Sequence, residues 1–261
     1  MVYAAKTMGC SARLGGSQTM SNRSFESGTR SGASSREVLY APWTLLPVAV
    51  AAVLSALAFI SPNFYDTYMS PETGVVETLQ FALLVVTAWL AARLLTRRAV
   101  AKAHWFRVWS LLLLVGAIYV AGEEASWGQH YLGWSTPDTW QAVNDQNETN
   151  LHNTSSWLDQ KPRAILEVAV LFGALLLPLA RRTRLYPRNP KIAYLVPTAR
   201  CVPAAAMVLA ARIDDWVADF FTSQPVAFYR PAEVEELFIY TVLVIYSMDL
   251  LWRVKDRAPP A

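Results

Sequence analysis

Residues 122–153 read GEEASWGQHYLGWSTPDTWQAVNDQNETNLHN and follow directly on the apolar run VWSLLLLVGAIYVA. The stretch holds two of the chain's three histidines, His130 and His152, and the adjacent carboxylates Glu123 and Glu124. Imidazoles and carboxylates are the side chains that transfer protons near neutral pH, and they also ligate divalent metals. Glu123, Glu124, His130 and His152 are therefore the candidate catalytic groups, and His152, Glu123 and Glu124 are the candidate ligands should a divalent metal be the cofactor. Trp127, Gln129, Asn147, Glu148, Asn150 and Asn153, with Glu236 from a distant segment, offer stacking and hydrogen bonding and are the candidate substrate-binding residues.

Spacing limits what these groups can do together. In a helix continued through Gly128, Glu123, Ser126, Trp127 and His130 share one face, because offsets of three, four and seven residues are near whole turns, while Glu124 points about 100° away. Glu123 and His130 would then lie about 10.5 Å apart along the axis, too far to share an ion without a break at Gly128. His152 is the second source of an imidazole, with Glu77, Glu167, Asp214, Asp215 or Glu236 as carboxylates from other segments. The same residues admit a structural account. Asn144, Asn147, Asn150 and Asn153 recur every third position alongside Gln146, and such amides satisfy loop backbone in a self-bonded lid.

The elements that must position this cluster are membrane-length helices. Of the 261 residues, 54% are hydrophobic, and they collect in runs near the roughly 20 residues needed to cross a ~30 Å hydrocarbon core. Such runs cover Pro42 to Ile60, Val75 to Leu95, Phe106 to Gly122, Ala164 to Ala180 and Leu237 to Leu251. A weaker one, Ile192 to Ala211, is interrupted by Pro197, Arg200 and Pro203. The expected fold is all-α, a polytopic membrane helix bundle of about six spans over residues 40–253. A disordered Ser/Gly/Arg-rich tail (1–39) precedes it, an extended extracytoplasmic loop (126–161) interrupts it, and a short tail (254–261) follows. In the loop, STPD at Ser135 to Asp138 predicts a short helix running to about Val143. Trp127, Trp134, Trp140 and Trp157 suit the headgroup level.

Charge sets the expected orientation. The tail before the first run, the loop carrying Arg97, Arg98, Lys102 and Arg107, and the segment carrying Arg181, Arg182, Arg184, Arg188 and Lys191 are basic, which places them inside. Arg253, Lys255 and Arg257 place the C-terminus there too, and an inside C-terminus requires an even number of spans. Both ends are then cytoplasmic, in a bacterial inner membrane, and the acids gather outside. The net charge of +3 results from this sorting and offers no surface for nucleic acid. Cys10 and Cys201 would lie on one side of the membrane and form no disulfide framework.

Common catalytic signatures are missing: there is no HExxH helix, GxSxG elbow, phosphate-binding Walker loop or GxGxxG turn. The EExxxR motif of membrane-embedded CAAX-type proteases is not met, since Gly128 stands where its arginine would be. Three histidines are also too few for a ceramidase-like zinc site. The long motif GEEASWGQHYLGWSTPDTW with NDQNETNLHN resembles a group of uncharacterised bacterial multi-pass membrane proteins that carry EE-x-SWGQ at a helix end and N-x-Q-x-E-x-NLHN soon after. PETGVVETLQ and EVEEL are similar to that group as well. The chain departs from it at His130, where arginine is expected. The resemblance implies a topology and no activity.

Two functions fit these residues. One is a membrane-embedded hydrolase or transferase acting at the outer surface on a lipid-linked substrate, with a carboxylate or metal activating water or a hydroxyl. The other is a binding or assembly protein whose polar cluster is a structural network meeting a membrane protein partner or the lipid bilayer. A transporter is the weakest reading, because no inverted repeat or paired broken helices are evident.

Overall fold

The computed structural model describes residues 42–71, 73–141, 144, 149–151, 154, 156–222 and 224–260, with backbone alone at 43, 44, 130 and 156–162. The N-terminal tail expected over 1–39, and Asn147, Glu148, His152 and Asn153, lie outside the described residues.

Among the described residues helix is the sole regular secondary structure, with no strand. Six longer helices organise it: α1 (Pro42–Ile60), α2 (Val75–Leu95), α3 (His104–Glu124), α4 (Ser156–Val170, prolonged by a π-helical stretch Leu171–Leu176 and by Leu177–Leu179), α5 (Val202–Val217) and α6 (Pro231–Asp256). Four helical segments are long and apolar enough to cross a membrane: α2, α3, Arg163–Arg182 and α6. A fifth is added if Leu45–Ile60 and Pro62–Met69, which meet at 113°, form one broken span.

α6 is the central post. It packs against α2 on one side and α5 on the other, while α3 packs on α2 and α1 on α5. Its buried face includes Phe238, Ile239, Val242, Ile245 and Leu250. The peripheral helices turn apolar side chains outward; Leu112 and Val115 of α3 are each 62% exposed. Exposed aliphatic residues along a 21-residue helix are what lipid contact requires and what water would oppose.

The run Ile192 to Ala211 is not one helix. A short helix Pro190–Leu195 ends before an extended stretch, a 3₁₀ turn Ala199–Cys201 follows, and α5 starts at Val202. Proline restricts the residue before it to extended geometry, so Pro197 breaks the run, and the Thr198 side chain caps the new start by accepting from the Arg200 amide at 3.3 Å. Arg200 is consequently not deep within a span. It is 44% exposed, pairs with buried Asp249 at 3.0 Å and stacks over the Trp252 ring. Thr198 also donates to Asp249, which fastens the broken segment to α6.

Candidate functional site

The site is built where α3 finishes and α6 begins. α3 stops at Glu124 and does not continue through Gly128. Ser126, Trp127 and Gly128 all have positive φ, at 44°, 55° and 106°. Glycine adopts such backbone freely, but two non-glycine residues in succession there are strained by about 1–3 kcal/mol each and need surrounding contacts to hold them. The chain then enters a new short helix, Gln129–Leu132. His130 therefore lies in a separate helix from Glu123, beyond a break at Ser126–Gly128.

Side-chain hydrogen bonds and ring packing hold the strained turn. Trp127 folds back so that its indole Nε1 donates to Glu123 Oε1 at 2.8 Å, and the ring covers Gly122, where a Cβ would stand 2.9 Å from it. Glu123 Oε2 accepts from the Leu151 amide at 2.7 Å. Asn150 donates to Ser126 Oγ at 3.0 Å, and Asn144 donates to both Asn150 Oδ1 and Asn150 O, at 2.9 and 3.1 Å. Gln129 Oε1 receives the amide and hydroxyl of Thr149, at 2.8 and 2.9 Å, while its Nε2 donates to Thr136 Oγ1 at 2.7 Å. Glu123, Ser126, Asn144 and Asn150 are buried. Glu123, Trp127, Gln129 and Asn150 thus belong to one network that pins residues 149–151 to the end of α3. The helix expected after Pro137 is present over Asp138–Gln141, and residues 142–143, the rest of its expected course, lie outside the described residues.

Glu124 faces elsewhere. Tyr240 Oη of α6 donates to Glu124 Oε1 at 2.6 Å. One turn earlier on α6, Glu236 pairs with Arg163 of α4 at 3.0 Å, and Arg163 also donates to Glu235 Oε2 and the Ala232 carbonyl, each at 3.2 Å. Glu124, Glu77 and Glu235 all lie within electrostatic reach of Glu236. Glu235 is fully buried, and its Oε1 has no hydrogen-bond partner among the described residues. Gln80 of α2 donates to the Glu233 carbonyl at 2.9 Å, fixing the start of α6 against α2. The resulting cluster of Glu77, Glu124, Glu235, Glu236, Tyr240 and Arg163 draws on four helices.

The other carboxylates named from sequence go to separate duties. Glu167 pairs with Arg212 of α5 at 3.5 Å, and Asp215 with the same guanidinium at 3.3 Å. Asp214 accepts from the amides of Val226, Ala227 and Phe228 at 2.8–3.0 Å, which clasps the turn before α6. Asp66 accepts from Tyr229 Oη at 3.2 Å, and that hydrogen bond to a carboxylate raises the Tyr229 pKa above its ordinary value. Arg230 is likewise raised by its hydrogen bond to Glu233.

A comparison with known protein families, with curated proteins and with solved structures finds no match to this chain. Among the described residues, no group of three or more His, Cys, Asp or Glu side chains is close enough to hold a metal ion.

Arg163 and Tyr240 are the site residues that sequence reasoning did not select. Arg163 carried a signal: it is a cation at the mouth of an apolar run, on the side where the acids collect. Tyr240 carried none, since a phenol in an apolar helix is unremarkable until its partner, 116 residues away, is known.

Proposed function

We propose that the protein is a membrane-embedded hydrolase or transferase acting at the extracytoplasmic surface on a lipid-linked substrate. The observation that carries this reading is the Tyr240–Glu124 hydrogen bond beside the Arg163–Glu236 ion pair. Ionisable groups brought together from several helices at a span's edge are costly, and a set of this kind is by default a functional one. A carboxylate bonded to a phenol forms a proton-transfer pair: the carboxylate takes a proton from an attacking water or hydroxyl, and the phenol donates to an oxyanion or leaving oxygen. Arg163 supplies a fixed positive charge for a phosphate or carboxylate of the substrate.

The topology that goes with it is six spans, with both ends cytoplasmic, in a bacterial inner membrane. α5 and its π-helical continuation cover 202–222, about 31 Å at 1.5 Å per residue, with Arg212 paired to Glu167 of α4 and Asp214 bonded to the turn before α6. The basic loops after α2 and after α4 then lie inside, and the Glu124 cluster lies outside.

Expression in a bacterial host followed by lipid profiling of its membranes tests the enzyme. Wild type should deplete or create a lipid-linked species, and Glu124→Gln and Tyr240→Phe should not. Profiles identical to an empty-vector control for all three proteins would overturn the reading.

A second reading, a binding or assembly protein for a membrane partner, is favoured by a specific feature. The bonds Leu151–Glu123, Thr149–Gln129, Asn150–Ser126 and Asn144–Asn150 hold residues 144 and 149–151 over the end of α3 as a lid, the arrangement of an architectural element. Elemental mass spectrometry of wild type and His152→Ala bears on both readings. Near-stoichiometric metal lost in the variant would add a metal to the enzyme, and the acid–base pair described above predicts that activity persists without one.

A further inference from the structure

At the opposite end of the bundle, where α2 finishes and α3 begins, a cavity of about 640 Å³ is lined by Lys102, His104, Trp105, Lys191, Ala258 and Pro259 among others. Its volume falls within the roughly 300–1,000 Å³ of small-molecule sites. Three segments distant in sequence build it: the turn ahead of α3, the short helix Pro190–Leu195 and the chain after α6. They are tied together. Trp105 Nε1 donates to the Pro260 carbonyl at 3.0 Å, Tyr194 Oη donates to the Arg257 carbonyl at 3.3 Å, and the Arg257 guanidinium lies 5.4 Å from the Tyr194 ring. Arg253 donates to the carbonyls of Tyr194 and, at 2.6 Å, Val196.

Among the described residues the lining carries two ammonium groups and an imidazole and no carboxylate, while the rest of the wall is alanine, proline and indole. Three N–H-bearing side chains around apolar walls match a ligand with an anionic oxygen cluster attached to an apolar body. Arg97, Arg98, Arg188 and Arg257 flank the lining residues in sequence against the single acid Asp256, so positive charge predominates around it. A tryptophan beside basic residues at a helix end is also the composition of the headgroup layer.

We propose that this cavity binds the headgroup of an anionic phospholipid, with Lys102 and Lys191 on the phosphate and Trp105 against the glycerol. The proposal rests on the chain being embedded in a bilayer and is independent of any chemistry at Glu124.

The test is native mass spectrometry of the detergent-purified full chain titrated with phosphatidylglycerol, phosphatidylcholine of the same acyl chains, or inorganic phosphate. Wild type should retain phosphatidylglycerol in preference to phosphatidylcholine. Lys102→Gln/Lys191→Gln should bind phosphatidylglycerol roughly 30-fold more weakly, from the usual contribution of two basic side chains at an anionic surface. A charge-matched control, Arg181→Gln/Arg182→Gln, alters exposed arginines outside the cavity lining and should bind as wild type does. An equal loss in that control would reduce the effect to diffuse surface charge and overturn the proposal. Equal retention of the two lipids would do the same, and displacement of phosphatidylglycerol by inorganic phosphate would assign the cavity to a soluble anion instead. Should the double variant fail to elute as wild type does on gel filtration, Lys191→Gln alone, on an exposed residue, carries the test with a roughly 5-fold loss expected.

Discussion

Glu123 and Glu124 are neighbours in sequence and opposites in surroundings. Glu123 is buried and bonded within its own loop, to an indole four residues on and an amide 28 residues on. Glu124 is bonded to a phenol on another helix, beside a second carboxylate and a guanidinium. The 100° between successive helical residues is enough to send one carboxylate to the lid and the other to the bundle interior. A carboxylate that accepts from backbone and indole fixes a shape, whereas one that shares a proton donor with other ionisable groups is placed for chemistry. The comparison makes separable predictions: altering Glu123 should damage the fold, and altering Glu124 should damage the activity.

The largest effect expected is from Glu123→Ala. It leaves the Trp127 indole and the Leu151 amide without their acceptor, and hydrogen bonds to a charged group are worth about 1.5–3 kcal/mol each. A loss of roughly 3 kcal/mol or more in thermal or denaturant stability should follow, with freer proteolysis around residues 149–151. Any activity should fall in proportion to the folded fraction. Unchanged stability would mean that the lid is held by something other than Glu123.

Gly122→Ala strains the same Glu123–Trp127 contact. In a bare helix alanine is favoured over glycine by about 1 kcal/mol. Here the added Cβ would stand 2.9 Å from the Trp127 ring, so the indole must move off Glu123, at the roughly 1–3 kcal/mol typical of overpacking. The two terms oppose, and a net loss of about 1 kcal/mol is expected. The decisive observation is that Gly122→Ala combined with Trp127→Ala should be less destabilised than the two single variants added together.

The helices of this arrangement were largely legible. Pro42–Ile60 and Val75–Leu95 are read from hydropathy to the residue, because an apolar run between polar breaks has one physical outcome in a bilayer. Hydropathy does not register breaks within a run. It therefore joined Ile192 to Ala211 across Pro197, and it was silent on the turn after α3, where the left-handed backbone of Ser126 and Trp127 has no compositional signature beyond Gly128. The polar stretch after α3 was legible as a site, but its division was not. That division depends on which helix faces which carboxylate, and the partners of Glu124 and Glu236 are 116 and 73 positions away.

Tyr240→Phe tests the other half. It removes one hydroxyl that donates to a carboxylate at 2.6 Å and leaves the ring's packing in place, so stability should fall by about 1.5 kcal/mol, one charge-assisted bond against the two that Glu123→Ala removes, while lipid turnover should stop. Loss of stability comparable to that of Glu123→Ala, with turnover retained, would reverse the comparison and make the Glu124 cluster the architectural one.

Tyr229 and Asp66 provide the exposed counterpart of the Tyr240–Glu124 pair, since the chemistry is the same but the hydrogen bond is longer, at 3.2 Å, and open to water. Exposed polar contacts contribute little, so Tyr229→Phe should leave thermal stability and lipid turnover nearly as they are. Its pH dependence has a definite sign. The folded state raises the Tyr229 pKa from 10.0, chiefly through the bond to Asp66. The folded phenol therefore holds its proton more tightly than the unfolded one. Whatever stability the contact gives is complete below pH 10, the unfolded value, and disappears as pH rises through the folded value. Stability curves of wild type and Tyr229→Phe should lie slightly apart near neutral pH and converge in alkali. A wild-type advantage that grew with pH instead would show that the hydroxyl's role is not donation to Asp66, and the surface pair would no longer serve as the reference against which the buried one is judged.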